Sequence, residues 1–322
     1  MQPVNLIVSC TNRKKALPPP ELCLNSLRSK SLALGLEEWL ERLAARRPLA
    51  LRASELYAGD HWQVVQAIPR EAAERNLGVR VWICSAGYGL IRDSDPIKPY
   101  SATFATRHPD SVNVLAPSGA GSAEQEWWSG LGTRLHRRGS PRSLVELARA
   151  EPCVPVIVVA AESYLLAMSA DLLGATAALA SEDLLSIVSV GATSKRIGQL
   201  RAHILPADAR FEAVVGGTRA ALNARLARHL FRQLPKGARP SREVLALTLA
   251  HAVKELPPLR HFNRRRLSDQ QVSRFIEKER LVDPVASKSR LLKCLRGSGA
   301  ACEQDRFGAI FDRVSGGSSD VS

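Results

Sequence analysis

The sequence contains no apolar run that approaches the roughly 18–20 residues required by a membrane-spanning helix. Its first residues lack the basic, apolar and cleavage regions of a secretory signal peptide. Its six cysteines form no CxxC pair, and none lies at a zinc-site spacing with histidine. These absences argue against a membrane protein, a disulfide framework and a structural zinc. We therefore expect a cytoplasmic protein that uses no metal or other cofactor, and nothing in the sequence points to an obligate protein partner.

Acidic residues are fewer than basic ones. There are 31 of them against 45 lysines and arginines, which gives a formal net charge of +14 and a pI of about 10.0. Such an excess of positive charge indicates a polyanionic partner, with nucleic acid in the first place and an anionic membrane in the second. A generally basic surface without any partner is the simpler alternative.

Short apolar runs rich in β-branched residues predict the strands. Four of them are clear and a fifth is weaker, and they cover Val4–Ser9, Val79–Ser85, Val154–Ala161, Leu185–Val190 and, as the weaker one, Phe211–Val215. Continuous apolar strands are typical of a parallel sheet that is covered on both faces. Helical patterns separate the runs and cover Leu36–Arg47, His61–Arg75, Ser143–Ala150, Leu165–Leu179 and Arg219–Gln233. This alternation predicts an α/β fold with a mainly parallel sheet flanked by helices.

Proline, glycine and charge without periodicity mark residues 234–242 as a linker. We expect an α/β domain over residues 1–233, a helical module over 243–313 and a disordered tail over 314–322. Residues 107–142 resemble a loop that is rich in Gly, Ser, Pro and Arg. Trp127 and Trp128 lie in this basic segment, where they either contact a nucleic acid or pack beneath the loop.

Open α/β sheets bind their ligands beyond the carboxyl ends of the strands. Small polar residues follow the first predicted strand, two glycines flank a tyrosine after the second, and further tyrosines come near both in the sequence. Together they indicate a binding site for a planar polar ligand, although each turn alone is weak and the glycine-rich one matches neither a P-loop nor a dinucleotide fingerprint. The residues expected to line this site are Ser9, Cys10, Asn12, Tyr57, Ser85, Gly87, Tyr88, Gly89 and Tyr100.

Three carboxylates accompany these residues. Glu55 has no obvious structural reason to be where it is, and its simpler interpretation is a surface glutamate. Asp60 precedes a predicted helix and is equally well explained as its N-cap. Glu162 follows the third predicted strand. We expect one of the three, with Glu55 in the first place, to be catalytic.

Basic and glycine-rich segments supply the expected phosphate contacts. Arg13 and Lys14 follow the first strand, and a Gly-Gly-Thr-Arg turn opens a helix whose free N–H groups suit a phosphate, although a plain N-capped turn explains it equally well. Near the C-terminus, short basic helices around a Gly-Ser-Gly turn suggest a helix-turn-helix-like module, with a small helical cap as the alternative. Besides the two tryptophans, the expected DNA contacts are Arg13, Lys14, Gly216, Gly217, Thr218, Arg219, Asn223, Arg225, Lys288, Arg290 and Arg296.

Several of these segments resemble a bacterial family of unknown-function domains related to the YaaA peroxide-stress proteins, with distant ties to DNA glycosylases and tRNA-guanine transglycosylases. The resemblance covers most of the chain, and its segments are SCTNRK at 9–14, ASELYAG at 53–59, CSAGYGL at 84–90, Pro99-Tyr100 and GGTRAALNAR at 216–225. The last segment and the C-terminal helices resemble a branch associated with phage defence. Members of that branch are DNA glycosylases that excise glucosylated hydroxymethylcytosine from phage DNA.

The resemblance implies a glycosylase-like fold and removal of a hypermodified base from double-stranded DNA, leaving an abasic site. Such an enzyme flips the base out of the duplex and stabilises an oxocarbenium-like transition state with a carboxylate. No lysine stands out in the sequence as a Schiff-base former, so we expect a monofunctional hydrolase. The alternatives are a non-enzymatic DNA-binding regulator or damage-response protein, and a base-exchange enzyme that acts on RNA.

Overall fold

The computed structural model describes residues 1–29, 31–45, 48–106, 108–115, 123–135, 139–254, 256 and 265–316. The chain divides into two compact units, Met1–Pro257 and Pro258–Ser322. Each has its own hydrophobic core, and each is described by itself below.

A five-stranded sheet organises the first unit, with the strand order β4-β3-β1-β6-β7. All neighbouring pairs are parallel except β3 and β4, which form an antiparallel pair. Two short strands, β2 and β5, pair with each other outside this sheet. The strands of the unit are β1 (Gln2–Ser9), β2 (Leu51–Arg52), β3 (Leu77–Ser85), β4 (Gly89–Arg92), β5 (Pro96–Ile97), β6 (Val156–Val159) and β7 (Leu185–Val188).

The central strand β1 shows why this sheet forms. Its residues Val4, Leu6, Ile7 and Val8 are completely buried, although they point alternately to both faces. Only a strand covered on both faces can bury consecutive apolar residues in this way, which is the situation predicted from the apolar runs. The prediction of an α/β fold with a mainly parallel sheet is confirmed.

Helices flank the sheet. Helices α3 and α9 pack against each other. Helix α3 also contacts β3, and α9 also contacts β6 and β7. The helices of the first unit are α1 (Leu32–Ala44), α2 (Ala53–Leu56), α3 (Asp60–Ala73), α4 (Ala123–Arg134), α5 (Leu144–Ala150), α6 (Glu162–Ala167), α7 (Ser169–Ala178), α8 (Phe211–Val215), α9 (Leu222–Gln233) and α10 (Arg242–Lys254). Within the part of the chain that the structure describes, no helix combines the length and apolar character needed to cross a membrane.

Two predictions of local structure are wrong. The weak fifth strand over Phe211–Val215 is the helix α8, in which only Phe211 is buried. A five-residue apolar run does not distinguish a strand from a short helix by its periodicity, and this one lacks a partner in the sheet. The single helix predicted over Leu165–Leu179 is interrupted at Met168, between α6 and α7.

The segment expected to be a loop at 107–142 contains the helix α4, and both of its tryptophans belong to the core. Trp127 and Trp128 are 0% and 4% exposed. The indole of Trp127 donates to the Ala86 carbonyl at 2.7 Å, and that of Trp128 donates to the Asp171 carboxylate at 3.0 Å. These residues pack inside the unit, which is the second of the two alternatives expected for them. The basic residues 136–138 lie outside the described part of the chain.

The residues expected to form a linker run along the amino-terminal edge of the sheet. The Gly237 N–H donates to the Arg75 carbonyl at 3.0 Å, and the Gln2 side chain donates to the Gly237 carbonyl at 2.9 Å. Helix α10 follows and packs on α9 and β7, with Leu245 and Leu249 buried. The first unit therefore extends beyond the predicted boundary at residue 233 and includes α10.

The second unit contains three helices, α11 (Asp269–Val282), α12 (Lys288–Gly297) and α13 (Gln304–Gly316). A short parallel pair, β8 (Arg265–Arg266) and β9 (Ala300–Ala301), joins the segment before α11 to the turn between α12 and α13. Ser268 and Gln271 form a reciprocal capping box at the start of α11. Apolar residues from all three helices meet in a separate core. The predicted tail begins inside α13, and residues 317–322 lie outside the described part.

The strand order of the first unit contains a topological switch point. The chain moves from β1 to β3 on one side and later returns to β6 on the other side of β1. The carboxyl ends of β1 and β6 therefore flank a topological switch point, where open α/β sheets form their ligand-binding crevice.

Candidate active site

Three hydroxyl groups form a directed hydrogen-bond chain beyond the carboxyl end of β3. The Ser85 Oγ accepts the N–H groups of Gly87 and Tyr88 at 3.3 and 3.0 Å, which occupies both of its lone pairs. The Ser85 hydroxyl must therefore donate to the Tyr100 Oη, which lies 2.7 Å away. The Tyr100 and Tyr57 hydroxyls are hydrogen-bonded at 2.8 Å, and we assign Tyr100 as the donor because its oxygen accepts from Ser85. With this assignment the Tyr57 hydroxyl is the last donor of the chain.

This hydroxyl chain is deeply buried. Ser85, Tyr57 and Tyr100 are each 0% exposed. Burial raises the pKa of both tyrosine hydroxyls well above their usual value, and the nearby Cys10 thiol adds to the effect. Both phenols consequently keep their protons at neutral pH and act as hydrogen-bond donors.

Gly87 is a glycine because of Tyr100. A Cβ atom at Gly87 would lie 2.6 Å from two atoms of the Tyr100 ring. The Gly87 carbonyl also accepts the indole N–H of Trp39 at 2.8 Å. The structure therefore uses this glycine to admit the tyrosine ring, whereas the sequence suggested a close approach to a ligand.

Tyr88 and Gly89 also support the structure around the hydroxyl chain. The Tyr88 Oη accepts the Lys98 N–H at 2.9 Å, and its ring meets that of Tyr100 edge-on at 5.2 Å. Gly89 has a φ of +70°, which lets β4 turn back along β3. Both residues thus have structural partners, and their contact with a base stays a prediction.

Lys14 points inward, over the two tyrosines. Its Nζ lies 4.2 Å from the centroid of the Tyr100 ring and 5.7 Å from that of Tyr57, and it donates to the Thr11 carbonyl at 3.2 Å. Its burial lowers the pKa of its ammonium group, while Cys10 and Asp110 act in the opposite direction. The sequence predicted a phosphate contact at the surface, and the structure instead places this cation against the hydroxyl chain.

The direction of Lys14 follows from backbone pairing. Lys14 and Tyr57 form an isolated antiparallel bridge, next to which the Lys15 N–H donates to the Leu56 carbonyl and the Ala58 N–H to the Arg13 carbonyl. In extended backbone, adjacent side chains point to opposite sides. Lys14 is therefore partly buried, whereas Arg13 and Lys15 on either side are exposed.

The end of β1 is tied to the elements around the switch point. The Cys10 thiol and the Tyr164 hydroxyl, which follows β6 on α6, are hydrogen-bonded at 3.2 Å. The Ser9 carbonyl lies 3.1 Å from the Nε2 of His61, on the first turn of α3. Burial lowers the pKa of His61. Asn12, which was expected to line the site, is exposed at the surface.

Asp60 lies at the start of α3 and binds across to the region before α9. Its carboxylate accepts the Thr218 hydroxyl at 2.9 Å and forms an ion pair with Arg225. Partial burial raises the pKa of this carboxyl, but the hydrogen bonds from Thr218 and Arg225 outweigh that effect and leave it below its usual value. Asp60 is therefore a carboxylate at neutral pH, with 31% of its side chain exposed.

The segment Gly216–Arg219 has the glycine geometry expected of an anion-binding turn, with a φ of +60° and +79° at its two glycines. The anion that it holds in the structure is the Asp60 carboxylate, bound through Thr218. The guanidinium of Arg225 packs directly on Gly217, where a Cβ would lie 2.2 Å from its Nε. The expected phosphate contacts at this turn therefore compete with an internal carboxylate.

Asn223 and Arg219 have structural partners. The Asn223 side chain accepts the Val190 N–H at 2.8 Å and donates to the Ala160 carbonyl at 3.1 Å, which ties the ends of β7 and β6 together. Arg219 is 82% exposed and lies 3.5 Å from the Glu212 carboxylate. Asn223 thus shapes the switch point from within, while Arg219 remains available at the surface.

None of the three predicted carboxylates is hydrogen-bonded to the hydroxyl chain. Glu55 lies on α2 and is exposed, and among the described residues it has no hydrogen-bond partner. Glu162 accepts the N–H groups of Thr193 and Ser194 at 3.0 and 3.1 Å, so it fixes the loop that follows β7. Of the three, Asp60 is the one whose carboxylate is held by two side chains, those of Thr218 and Arg225.

The basic residues expected to bind DNA in the second unit lie on α12. Each of them has a partner elsewhere in that unit. Lys288 pairs with Asp312 at 2.6 Å, and Arg290 pairs with Asp283 at 2.6 Å. Arg296 donates to the Cys302 carbonyl at 3.1 Å. A groove of about 980 Å³ lies between α12 and α13 and is lined by three of the four basic residues of α12.

The sequence missed the inward direction of Lys14 and the roles of His61 and Tyr164. Only the backbone bridge to Tyr57 and the strand order reveal them, because both depend on residues that are distant along the chain. Among the described residues, no group of three or more His, Cys, Asp or Glu side chains is arranged to hold a metal ion.

Comparisons of the chain with protein-family models, curated proteins and solved structures give no match. Its function therefore has to be inferred from the residues themselves.

Proposed function

We propose that this protein is a DNA glycosylase that hydrolyses the N-glycosidic bond of a hypermodified base, glucosylated hydroxymethylcytosine, in phage DNA. Its biological role is antiviral defence in the cytoplasm. The observation that carries the proposal is the directed chain from Ser85 through Tyr100 to Tyr57, which ends in a hydroxyl donor beside Lys14. The base class comes from the family resemblance of the sequence motifs.

The hydroxyl chain suits the departure of a base. Negative charge develops on the base as the N-glycosidic bond breaks, and fixed donors in a water-poor environment stabilise such charge strongly. Each hydroxyl of the chain is polarised by the one before it, and the first is anchored by two backbone N–H groups. Tyr57 is the group that donates to the leaving base.

Asp60 supplies the carboxylate for the sugar. Positive charge develops on the deoxyribose in an oxocarbenium-like transition state, and an ionised carboxylate stabilises it or orients the attacking water. The pKa of Asp60 is held below its usual value, so the group is ionised at neutral pH. A carboxylate has about four acceptor positions, so its bonds to Thr218 and Arg225 leave room for a water molecule.

The buried hydroxyl chain becomes accessible to a base only if the Lys14 side chain moves. Tyr57 and Tyr100 are 0% exposed, and the Lys14 side chain covers their rings. A flipped base reaches the Tyr57 hydroxyl once Lys14 moves aside. Lys14 is held there by one carbonyl hydrogen bond and by the ring faces, and among the described residues it forms no ion pair.

Positive charge on both units supplies the affinity for DNA. Arg13 is exposed next to the site, and α12 carries four basic residues and no acidic one. We assign α11 and α12 to a helix-turn-helix-like module in which α12 enters the major groove. Binding through such contacts weakens steeply as salt is added.

The test is base release from defined DNA. The purified protein is incubated without added metal with duplexes that contain cytosine, hydroxymethylcytosine or glucosylated hydroxymethylcytosine, and abasic sites are revealed as breaks after alkali. We expect breaks only in the modified DNA, and fewer with Asp60→Asn than with the matched Thr176→Val variant, which lacks a buried hydroxyl on α7. Absence of breaks in all three DNAs would refute the proposal.

A non-enzymatic DNA-binding regulator is the second candidate. The full burial of Tyr57 and Tyr100 favours it, because neither hydroxyl is exposed to a ligand in this structure. Tight, salt-sensitive binding to DNA without base release from any substrate would support this function. Competition between DNA and RNA separates both candidates from a base-exchange enzyme that acts on RNA.

A further inference from the structure

Lys14 occupies an unusual place for a lysine. Its ammonium group lies over two tyrosine rings and donates to a single carbonyl, that of Thr11. Among the described residues, no carboxylate lies within ion-pair distance of its Nζ. The nearest acid that influences it, Asp110, already accepts the Asn25 N–H at 3.0 Å and the Ser101 hydroxyl at 2.6 Å.

This environment makes the neutral amine easier to reach than in an exposed lysine. Burial lowers the pKa of Lys14, and the opposing effects of Cys10 and Asp110 offset it only in part. A neutral lysine amine is a nucleophile, and lysines desolvated in this way form Schiff bases with carbonyl groups.

Lys98 is a second lysine with a lowered pKa, and its role is structural. Burial also lowers the pKa of Lys98. Its Nζ, however, donates to the carbonyls of Leu43 and Ala45 at the end of α1, which fixes the helix terminus. Lys14 closes no helix, and its Nζ lies 4.2 and 5.7 Å from the ring centroids of Tyr100 and Tyr57, the two tyrosines of the hydroxyl chain.

We propose that Lys14 is a catalytic nucleophile that attacks C1′ of the deoxyribose and lets the enzyme cut the DNA strand at the abasic site. This inference rests on the proposed base-releasing function and extends it from a hydrolase to a combined glycosylase and lyase. It replaces the expectation of a monofunctional enzyme, which depended on no lysine standing out in the sequence.

The steps balance without an oxidant or reductant. The amine lone pair of Lys14 forms a bond to C1′, the bond from C1′ to the base breaks, and the base leaves with a proton. The sugar ring then opens to an imine between Nζ and C1′, with a proton passing to O4′. Loss of a proton from C2′ expels the 3′ phosphate, and water hydrolyses the imine to regenerate the amine and release an unsaturated aldehyde.

A preformed abasic site tests this chemistry independently of the base. A duplex in which one uracil has been removed is incubated with the full-length protein and sodium cyanoborohydride, which reduces an imine to a stable amine. We expect a covalent protein–DNA adduct whose peptide maps to Lys14 by mass spectrometry. Mapping on the unaltered protein makes the result independent of whether any variant folds.

Two variants sharpen the result. Lys14→Arg keeps the positive charge and removes the nucleophile, so adduct formation should fall by about tenfold or more. Lys236→Ala removes an exposed lysine near the amino-terminal edge of the sheet, next to the residue that binds Gln2, and should leave adduct formation unchanged. An adduct that persists in Lys14→Arg, or that maps to another residue, overturns the inference.

The two proposals fail in distinguishable ways. Modified DNA that yields breaks only after alkali, together with no adduct on abasic DNA, leaves the glycosylase standing and overturns the role of Lys14. An adduct at Lys14 on abasic DNA, without base release from any modified DNA, supports the nucleophile and overturns the glycosylase.

Discussion

The Ser85 hydroxyl donates to the Tyr100 phenol across 2.7 Å, because two backbone N–H groups occupy the remaining capacity of its oxygen. This relationship supports the direction assigned to the chain, in which Tyr57 is the final donor. Without the two backbone N–H groups on the Ser85 Oγ, the hydrogen bonds between the three hydroxyls would have no preferred direction. The arrangement therefore predicts an ordered loss of function when hydroxyl groups are removed.

Replacing Tyr57 by Phe removes the terminal donor and nothing else. We expect the maximal rate of base release to fall by about 10²–10³-fold, as for the loss of one donor to a developing negative charge, with a smaller change in KM. Tyr100→Phe should have a similar effect, since it disconnects Tyr57 from its support. Single-turnover base release measures both rates. Thr176→Val, which removes a buried hydroxyl elsewhere, provides the control, and equal activity in all three variants contradicts the donor role.

Gly87→Ala tests the packing that positions Tyr100. The added Cβ would lie 2.6 Å from the Tyr100 ring, so the ring or the turn must shift. We expect a loss of about 1–3 kcal/mol in the free energy of unfolding, which is the usual range for overpacking a core. Urea unfolding followed by tryptophan fluorescence measures it, because all five tryptophans lie in the first unit.

Gly78→Ala is the matched control. Gly78 lies in β3, and a Cβ there meets its nearest neighbour at 3.6 Å, which is ordinary contact. Its stability should stay the same or rise by up to about 1 kcal/mol, because alanine restricts the unfolded chain. Equal destabilisation by both variants would contradict the explanation given for Gly87.

The sequence predicts the parts of this fold that depend on local pattern. The runs around β1, β3, β6 and β7 are apolar and β-branched, and runs of this kind are typical of buried parallel strands. The weaker run at Phe211–Val215 was mistaken for a strand because five residues contain too little periodicity.

The candidate site was predictable in location but not in detail. The rule that ligands bind at strand ends leads to Ser9, Cys10 and Ser85. The inward direction of Lys14 depends on its bridge to Tyr57, which lies 43 positions further along the chain, and no local signal separates it from Arg13 or Lys15. The fold of the segment around the tryptophans was misjudged for a similar reason, since its basic, glycine-containing sequence hides a helix whose partners lie elsewhere.

Glu71 predicts how the stability of the first unit depends on pH. On α3 it accepts hydrogen bonds from Arg228 and Arg232 of α9, which lower its pKa to about 2 against the cost of burial. The folded pKa lies below the unfolded value of about 4.3, so the stabilisation is complete above that value and disappears as the pH falls towards 2. The difference corresponds to about 3 kcal/mol at neutral pH.

Glu71→Gln should therefore lower the free energy of unfolding by about 2–3 kcal/mol at pH 7 and by about half as much at pH 3. Urea unfolding of both proteins at the two pH values, followed by tryptophan fluorescence, provides the comparison. The variant must retain its secondary structure by circular dichroism at pH 7. An equal loss at pH 7 and pH 3 would show that the pairing of Glu71 with the two arginines contributes no pH-dependent stability.

The basic helix α12 predicts how DNA binding depends on salt. Lys293 is exposed on α12 and, among the described residues, has no ion-pair partner, whereas Lys288 and Arg290 on the same helix are paired with acids. Each phosphate contact contributes about 0.9 to the slope of log K against log salt for duplex DNA. Lys293→Ala should therefore lower the magnitude of that slope by about 0.9 and weaken binding equally for modified and unmodified DNA. Fluorescence anisotropy over a salt series measures the slope, with Lys236→Ala as the control. An unchanged slope in Lys293→Ala means that α12 does not lie on the phosphate backbone and that other basic residues supply the affinity.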